Sequence, residues 1–286
     1  MGPDHLHLDT TVQLSRIAYG GETSRSYNAE LAGRPRVSTT SLVYREFLRT
    51  LVSDIEYLHG KAEQTPADGD DGFIDVGSIL QSIGAAKDRY SSRSIRRLHL
   101  VAGQLLRELD RTRVPKIKIL RKLERIASAY SRMFFTYPDE SGRPLQIELL
   151  TGLEQDPAEL DQLRAAAPFP RRPGFPAGAA RFLAERLPEV ETVAGFMEKA
   201  KSGAGRDDRL LDFLRRLMND DGRFDFPRHL PRYKEMCWRL GDLLIALECP
   251  DGAALYATDR AFPVLARALG LVYFEGYGSP KAPAES

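Results

Sequence analysis

HLHLDTTVQLSRIA, residues 5–18, is the stretch from which the fold is read. Residues 5–11 alternate and end on an aspartate followed by two threonines, which predicts a short strand. Residues 12–19 predict a helix. The pattern then repeats. SRSYNAELAG predicts a helix over 24–32 that stops at Gly33, and the β-branched RVSTT after Pro35 predicts a strand over 36–40. In SLVYREFLRTLVSDIEYL, residues 41–58, the apolar residues Leu42, Val43, Phe47, Leu51, Ile55 and Leu58 fall at helical spacing.

The same rhythm returns at the far end. YKEMCWRLGDLLIAL (233–247) predicts an amphipathic helix, and GAALYA (252–257) a strand leading to Thr258 and Asp259. AFPVLARAL (261–269) predicts a helix with Pro263 in its first turn, and LVYFEG (271–276) a last strand. Between the ends, helices are expected over 74–86, 91–112, 115–135, 157–166, 177–201 and 207–219. Loops are expected at 64–72 and 138–144, with a proline-rich connector at 165–177. The expectation is an α/β fold with a parallel sheet built from residues 1–60 and 231–278. Residues 61–230 form a mainly helical insertion, and 279–286 a disordered tail.

Composition narrows the function classes. Of 286 residues, 42% are hydrophobic and 28% charged, as in ordinary globular proteins, and the net charge of +1 points to no partner by itself. Two cysteines, Cys237 and Cys249, give neither a disulfide framework nor a cysteine-rich zinc site, which fits a reducing cytoplasm. The five histidines show no zinc-ligand spacing. The N-terminus lacks the basic and apolar regions of a signal peptide, and no apolar run is long enough to span a bilayer.

Four acids carry the chemistry. Asp9 and Asp259 follow strands, and ligands in parallel α/β sheets bind beyond the carboxyl ends of the strands. Glu46 interrupts an apolar helix stripe, and Asp242 sits between Gly241 and LLIAL. Carboxylates in such surroundings need partners if they are buried. Four that converge would repel one another without a divalent cation, and Mg²⁺ or Mn²⁺ suits oxygen ligands. Each acid also has a plain structural reading. Asp9, Asp242 and Asp259 could cap helices, and Glu46 could pair with Arg45 or Arg49. Glu235, on the same helix face as Asp242, is read as solvated.

LHLDTTVQLSRI resembles the opening of PIN-domain nucleases, a strand ending in aspartate and a small polar residue. RVSTTSLVYREFL resembles the second motif of that family. GDLLIAL, then GAALYATDRAF with LARALGL, resembles the third and fourth motifs in order. The resemblance covers residues 4–58 and 233–276. It implies that Asp9, Glu46, Asp242 and Asp259 are the catalytic, metal-binding acids, with Thr258 and Thr10 in support. It further implies a cytoplasmic endonuclease that cleaves phosphodiester bonds, in RNA rather than DNA, with Mg²⁺ or Mn²⁺. The chain departs from the pattern at Ala261, where many family members carry a further acid before the phenylalanine. The alternative is a PIN-like protein that binds nucleic acid, or regulates, without cleaving. A third reading is a structural subunit that uses the insertion as a protein interface.

The insertion is locally basic. Residues 87–132 hold fourteen Lys or Arg against four acids. Arg93, Arg96, Arg97, Lys116, Lys118, Arg121, Lys122 and Arg125 are the candidate nucleic-acid contacts, and Tyr90, Tyr130, Phe134 and Phe135 could stack on bases. The functional reading is an arm that holds nucleic acid over the acidic site. The structural reading is a solvated cationic face opposite an apolar stripe. The same arm could meet an antitoxin-like inhibitor or another protein surface, including a second copy in a homo-oligomer.

Overall fold

The computed structural model describes residues 2–68, 72–85, 92–107, 109, 113–154, 158, 161, 169, 178–200, 208–219, 236–274 and 276. Strand β1 (His5–Leu8) leads into helix α1 (Thr10–Ala18), α2 (Gly21–Ala32) and β2 (Arg36–Thr40). A long helix then runs from Ser41 to Gln64, as α3 (Ser41–Phe47), a π-helical turn (Leu48–Val52) and α4 (Ser53–Gln64). The middle of the chain supplies β3 (Phe73–Asp75), α5 (Val76–Ala85), α6 (Ser92–Arg107), β4 (Arg113–Pro115) and α7 (Lys116–Phe134). A hairpin of β5 (Thr136–Pro138) and β6 (Pro144–Gln146) follows, then β7 (Glu148–Leu150). Helices α8 (Ala179–Glu185), α9 (Leu187–Lys199) and α10 (Asp208–Asn219) precede α11 (Met236–Leu247), β8 (Ala254–Tyr256), α12 (Phe262–Leu269) and β9 (Val272–Tyr273).

Five of these strands form one sheet in the order β7-β2-β1-β8-β9, and every pair is parallel. Counted along the chain, the sheet strands run 3-2-1-4-5. The winding direction therefore reverses between β1 and β8. The expected joining of the two chain ends is realised in that pair, where Leu6 faces Ala254 and Leu8 faces Tyr256. Both faces of the sheet are covered. Leu6, Leu8, Val37, Ala254 and Tyr256 pack on one side with Val12, Tyr27 and Leu31. On the other side, Leu255 and Ala257 join the large core formed by the long helix, α7, α9 and α11. His5 and His7 occupy alternate positions of β1 and share the Ser38 hydroxyl, at 2.8 and 3.0 Å. Burial, with His5 as its neighbour, lowers the His7 imidazole to about 3, so it is a neutral core residue.

Two features differ from the sequence reading. The expected loop at 138–144 is the tip of a hairpin, and the sheet's edge strand β7 comes from the middle of the chain. A three-residue strand carries too little period-2 signal to be read. The middle of the chain is also packed into the same core as the ends. Phe134 lies against Tyr44 and Phe47, with ring centroids 4.8 and 5.0 Å away. Tyr130 and Phe134 are buried and Phe135 rests on Tyr44, so these rings pack in the interior instead of stacking on bases. Tyr90 lies outside the described residues, as do nearly all of 157–177, the start of the 233–247 helix with Glu235, and the 279–286 tail.

Two buried arginines fasten the middle to the ends. Arg16, 1% exposed, donates to the carbonyls of Met133, Phe134 and Thr136 and to Gln13 Oε1. It thereby satisfies acceptors that the end of α7 leaves open. Burial lowers its guanidinium to about 9, so it stays charged at neutral pH. Arg45 makes a two-pronged ion pair with Glu154, at 3.0 and 2.7 Å, tying α3 to the turn after β7. Nearby, Glu248 at the end of α11 is buried, and neither carboxylate oxygen closes a hydrogen bond of good geometry among the described residues. Burial pushes this acid up to about 8; the neighbouring Gly152 and Leu153 amides oppose the shift, the Glu154 charge adds to it, and the Arg186 charge opposes it.

Glu154→Ala removes the carboxylate that faces the buried Arg45, and urea unfolding should show a loss of about 3–5 kcal/mol. Arg45→Met combined with Glu154→Leu should recover most of it. Glu248 binds its proton more tightly folded than unfolded, so its contribution falls as pH rises from about 4.5 to about 8. Thermal melts in EDTA across that window should lose about one proton's worth of slope in Glu248→Gln. An unchanged slope would place the ionised carboxylate in solvent.

Candidate metal centre

The sheet positions the first two acids. Asp9 follows β1 directly, and its backbone amide donates to the Tyr256 carbonyl of β8 at 3.1 Å. Asp259 follows β8 after three residues. Both therefore stand at the carboxyl ends of adjacent parallel strands, where the winding reverses and α/β sheets hold their ligands. Asp9 is also the N-cap of α1, accepting from the Thr11 amide at 3.0 Å. The capping reading of Asp9 therefore holds, and the same carboxylate stands at the carboxyl end of the sheet. Asp259 accepts from the Ala261 amide at 3.1 Å, while Ala261 itself is the N-cap of α12. The Ala261 amide thus holds the Asp259 carboxylate.

Helices bring the other two. Glu46 lies on α3 and accepts from the Thr10 hydroxyl at 2.5 Å. It does not pair with Arg45, which is committed to Glu154. Asp242 sits in α11, which continues through Gly241 without a break, so no capping role arises there. Gly241 explains the close passage of α11 over α3. A Cβ at this position would stand 2.9 Å from Glu46 Oε1 and 3.8 Å from Leu42 Cδ2.

The four carboxyl groups share one field. Burial pushes Asp9 up to about 6, against the Thr11 and Thr10 hydrogen bonds, with the Asp259 charge adding to the rise. Burial pushes Glu46 up to about 7, opposed by the Thr10 bond and reinforced by Asp9, with Arg49 opposing last. Asp242 is raised well above the usual carboxylate range, by burial and then by Asp9, Asp259 and Glu46 in turn, with Arg239 opposing. Yet among the described residues no three carboxylate, histidine or cysteine side chains stand close enough to form a ready metal cage. The acids are electrostatic neighbours rather than a closed ligand set. A hard divalent cation would offset the burial of such carboxylates and, to a lesser degree, their mutual repulsion. Asp9, Asp242, Asp259 and Glu46 are the groups that would hold it.

Thr11 is a supporting residue that the sequence reading passed over. Its hydroxyl donates to Asp9 Oδ2 and accepts from the Thr258 hydroxyl at 2.9 Å. Thr258 therefore reaches Asp9 through Thr11, and Thr10 serves Glu46 instead. The consecutive threonines after Asp9 were the available signal, since one helical step separates the directions of adjacent side chains.

The basic residues are placed elsewhere. The side chains of Arg93, Arg96 and Arg97 on α6 lie outside the described ones. Lys116 donates from Nζ to the Thr65 carbonyl at 2.9 Å, so it caps a turn. Lys118, Arg121 and Arg125 are exposed on α7 and Lys122 is half-buried. Helix α7 runs back along the long helix, from Thr65 beside Lys116 to Tyr44 and Phe47 beside Phe134. At 1.5 Å per residue, its cations begin about 14 Å from the level of Glu46. Among the described residues, the cations on α7 therefore stand apart from the level of Glu46 along the helix. No helix among the described residues is long and apolar enough to cross a membrane. Comparison of the chain with protein-family models, with curated proteins and with solved structures gave no match.

Gly241→Ala tests the helix contact. The new methyl group should displace the Glu46 carboxylate, the flexible end of a side chain, while leaving the fold within about 1 kcal/mol of wild type. The rise in melting temperature produced by Mn²⁺ should shrink in this variant. An equal rise in both proteins would remove Glu46 from the site.

Proposed function

We propose that the chain is a metal-dependent endonuclease of PIN-like architecture that hydrolyses phosphodiester bonds in RNA. The observation that carries this reading is that Asp242 lies within the field of Asp9, Asp259 and Glu46, beside the point where the sheet winding reverses. The order of the sequence motifs supports it. A bound Mg²⁺ or Mn²⁺ would supply an acidified water and positive charge for the leaving oxygen. The protein's own part is to hold the acids. Thr11 and Thr258 fix the rotamer of Asp9, Thr10 that of Glu46, and the Ala261 amide that of Asp259. Burial raises Asp9 to about 6 and Glu46 to about 7, so a carboxyl in this group can accept the proton of the attacking water.

A second reading has an observation in its favour. The acids do not form a ready cage, and position 261 offers a methyl group where a further carboxylate could stand. In that reading the fold binds nucleic acid without cutting it.

Asp9→Asn separates the two. It keeps the helix cap but removes a charge, and metal-dependent cleavage of a labelled RNA should fall at least roughly hundredfold, about 2.7 kcal/mol of barrier. Equal cleavage by the variant would end the assignment. Absence of cleavage by wild type with Mg²⁺ or Mn²⁺, on both RNA and DNA, would favour the binding reading.

A further inference from the structure

We infer that the outer face of α7 carries a docking site for single-stranded nucleic acid, separate from the acidic centre. Leu109, Pro115, Ile117, Lys118, Arg121, Lys122 and Arg125 line a cavity of about 340 Å³. The cations lie at i, i+3, i+4 and i+7, so all four fall on one helix face over about 10 Å of axis. Neighbouring like charges at these spacings destabilise a helix unless something offsets them. Among the described residues no carboxylate forms an ion pair with Lys118, Arg121 or Arg125. The sole acid within α7, Glu124, turns toward His59 on α4, 3.5 Å away. A stacked strand rises about 3.4 Å along its axis per phosphate, so it supplies roughly three negative charges over the same length.

The other half of the cavity is apolar. Ile117 is 54% exposed, which is unusual for isoleucine, and it borders the cations together with Pro115 and Leu109. A strand that lays its phosphates on the cations can cover this apolar patch with a base or sugar face. A duplex keeps its base faces stacked inside, and an acidic peptide brings carboxylates without a flat apolar partner. The combination therefore favours a single strand. The cation row lies about 14 to 24 Å, measured along the helix, from the level of Glu46. One phosphate cannot touch both places, and a stacked strand needs roughly four to seven nucleotides to span that axial distance. The inference deepens the nuclease reading where the docked strand is its substrate; docking itself requires no cleavage.

The test is equilibrium binding in EDTA, where cutting is suppressed. Fluorescence anisotropy follows a labelled 20-nucleotide single-stranded RNA on wild type, on Lys118→Glu/Arg121→Glu and on the milder Lys118→Gln/Arg121→Gln. Affinity is expected to fall at least tenfold in the charge reversal and less in the neutral pair. The salt dependence should flatten by about 0.7 per lost phosphate contact. Ile117→Ser should weaken single-strand binding and leave any duplex binding unchanged. Equal affinity and equal salt slope in wild type and both charge variants would overturn the site. Preference of wild type for a polyglutamate chain of equal charge would also overturn it, in favour of an acidic protein partner. If wild type cleaves nothing with Mn²⁺ yet the variants lose binding, the nuclease reading falls and the docking site stands. If wild type cleaves RNA and the variants bind it unaltered, the docking site falls and the nuclease reading stands.

Discussion

The parallel pairing of β1 with β8 is the constraint on which the rest depends. Three register pairs join residues almost 250 positions apart, and the Asp9 amide extends the ladder one step further to Tyr256. Parallel strands end at the same edge. Once this pair forms, Asp9 and the turn carrying Asp259 must emerge side by side. Neither terminal segment could build the acidic group alone, because each contributes half of the carboxylates. A one-residue slip would turn Leu6 and Leu8 away from their core and carry His7 into it.

Around that pair, the protein manages buried charge in two ways. Arg16 and Arg45 are buried with full sets of acceptors, from backbone carbonyls in one case and a carboxylate in the other. Both reach into the middle of the chain, so the same contacts that neutralise them also dock α7 and the turn after β7. The acidic quartet and Glu248 are treated oppositely. The carboxyl groups of Asp9, Glu46, Asp242 and Glu248 are desolvated, and their affinity for protons rises. At the quartet the unmet need is for positive charge, which is the physical basis of the metal-centre reading. At Glu248 no comparable set of acids is gathered, and the result is a pH-sensitive contact at the base of α11.

The division of labour between acids and cations also follows from helix geometry. The long helix and α7 run antiparallel, pinned at one end by the Tyr44, Phe47 and Phe134 rings and at the other by Lys116 on Thr65. Glu46 belongs to the first end and Lys118 lies near the second. In the proposed reading, a strand of nucleic acid meeting both would lie along the helix pair, and substrate length would be coupled to affinity.

The alternation of strand and helix at both ends follows from local pattern, and with it the α/β class and its parallel sheet. HLHLDTT, RVSTT and ALYATD each join a β-branched or alternating run to a polar stop, and that signal survives without tertiary context. Local pattern also marks Asp9, Glu46, Asp242 and Asp259, because an acid in apolar surroundings is visible in one dimension. It does not disclose β7, which is three residues long and becomes a strand only by pairing with Ser38, Thr39 and Thr40. Nor can it choose between threonines. Thr10 and Thr11 are identical in type and adjacent, and only the direction of their side chains from α1 assigns one to Glu46 and the other to Asp9. How near the carboxyl groups approach, and where the cations lie, is set by packing alone. Both are distances between segments far apart in the chain, fixed here by a glycine at 241 and by two rings against Phe134.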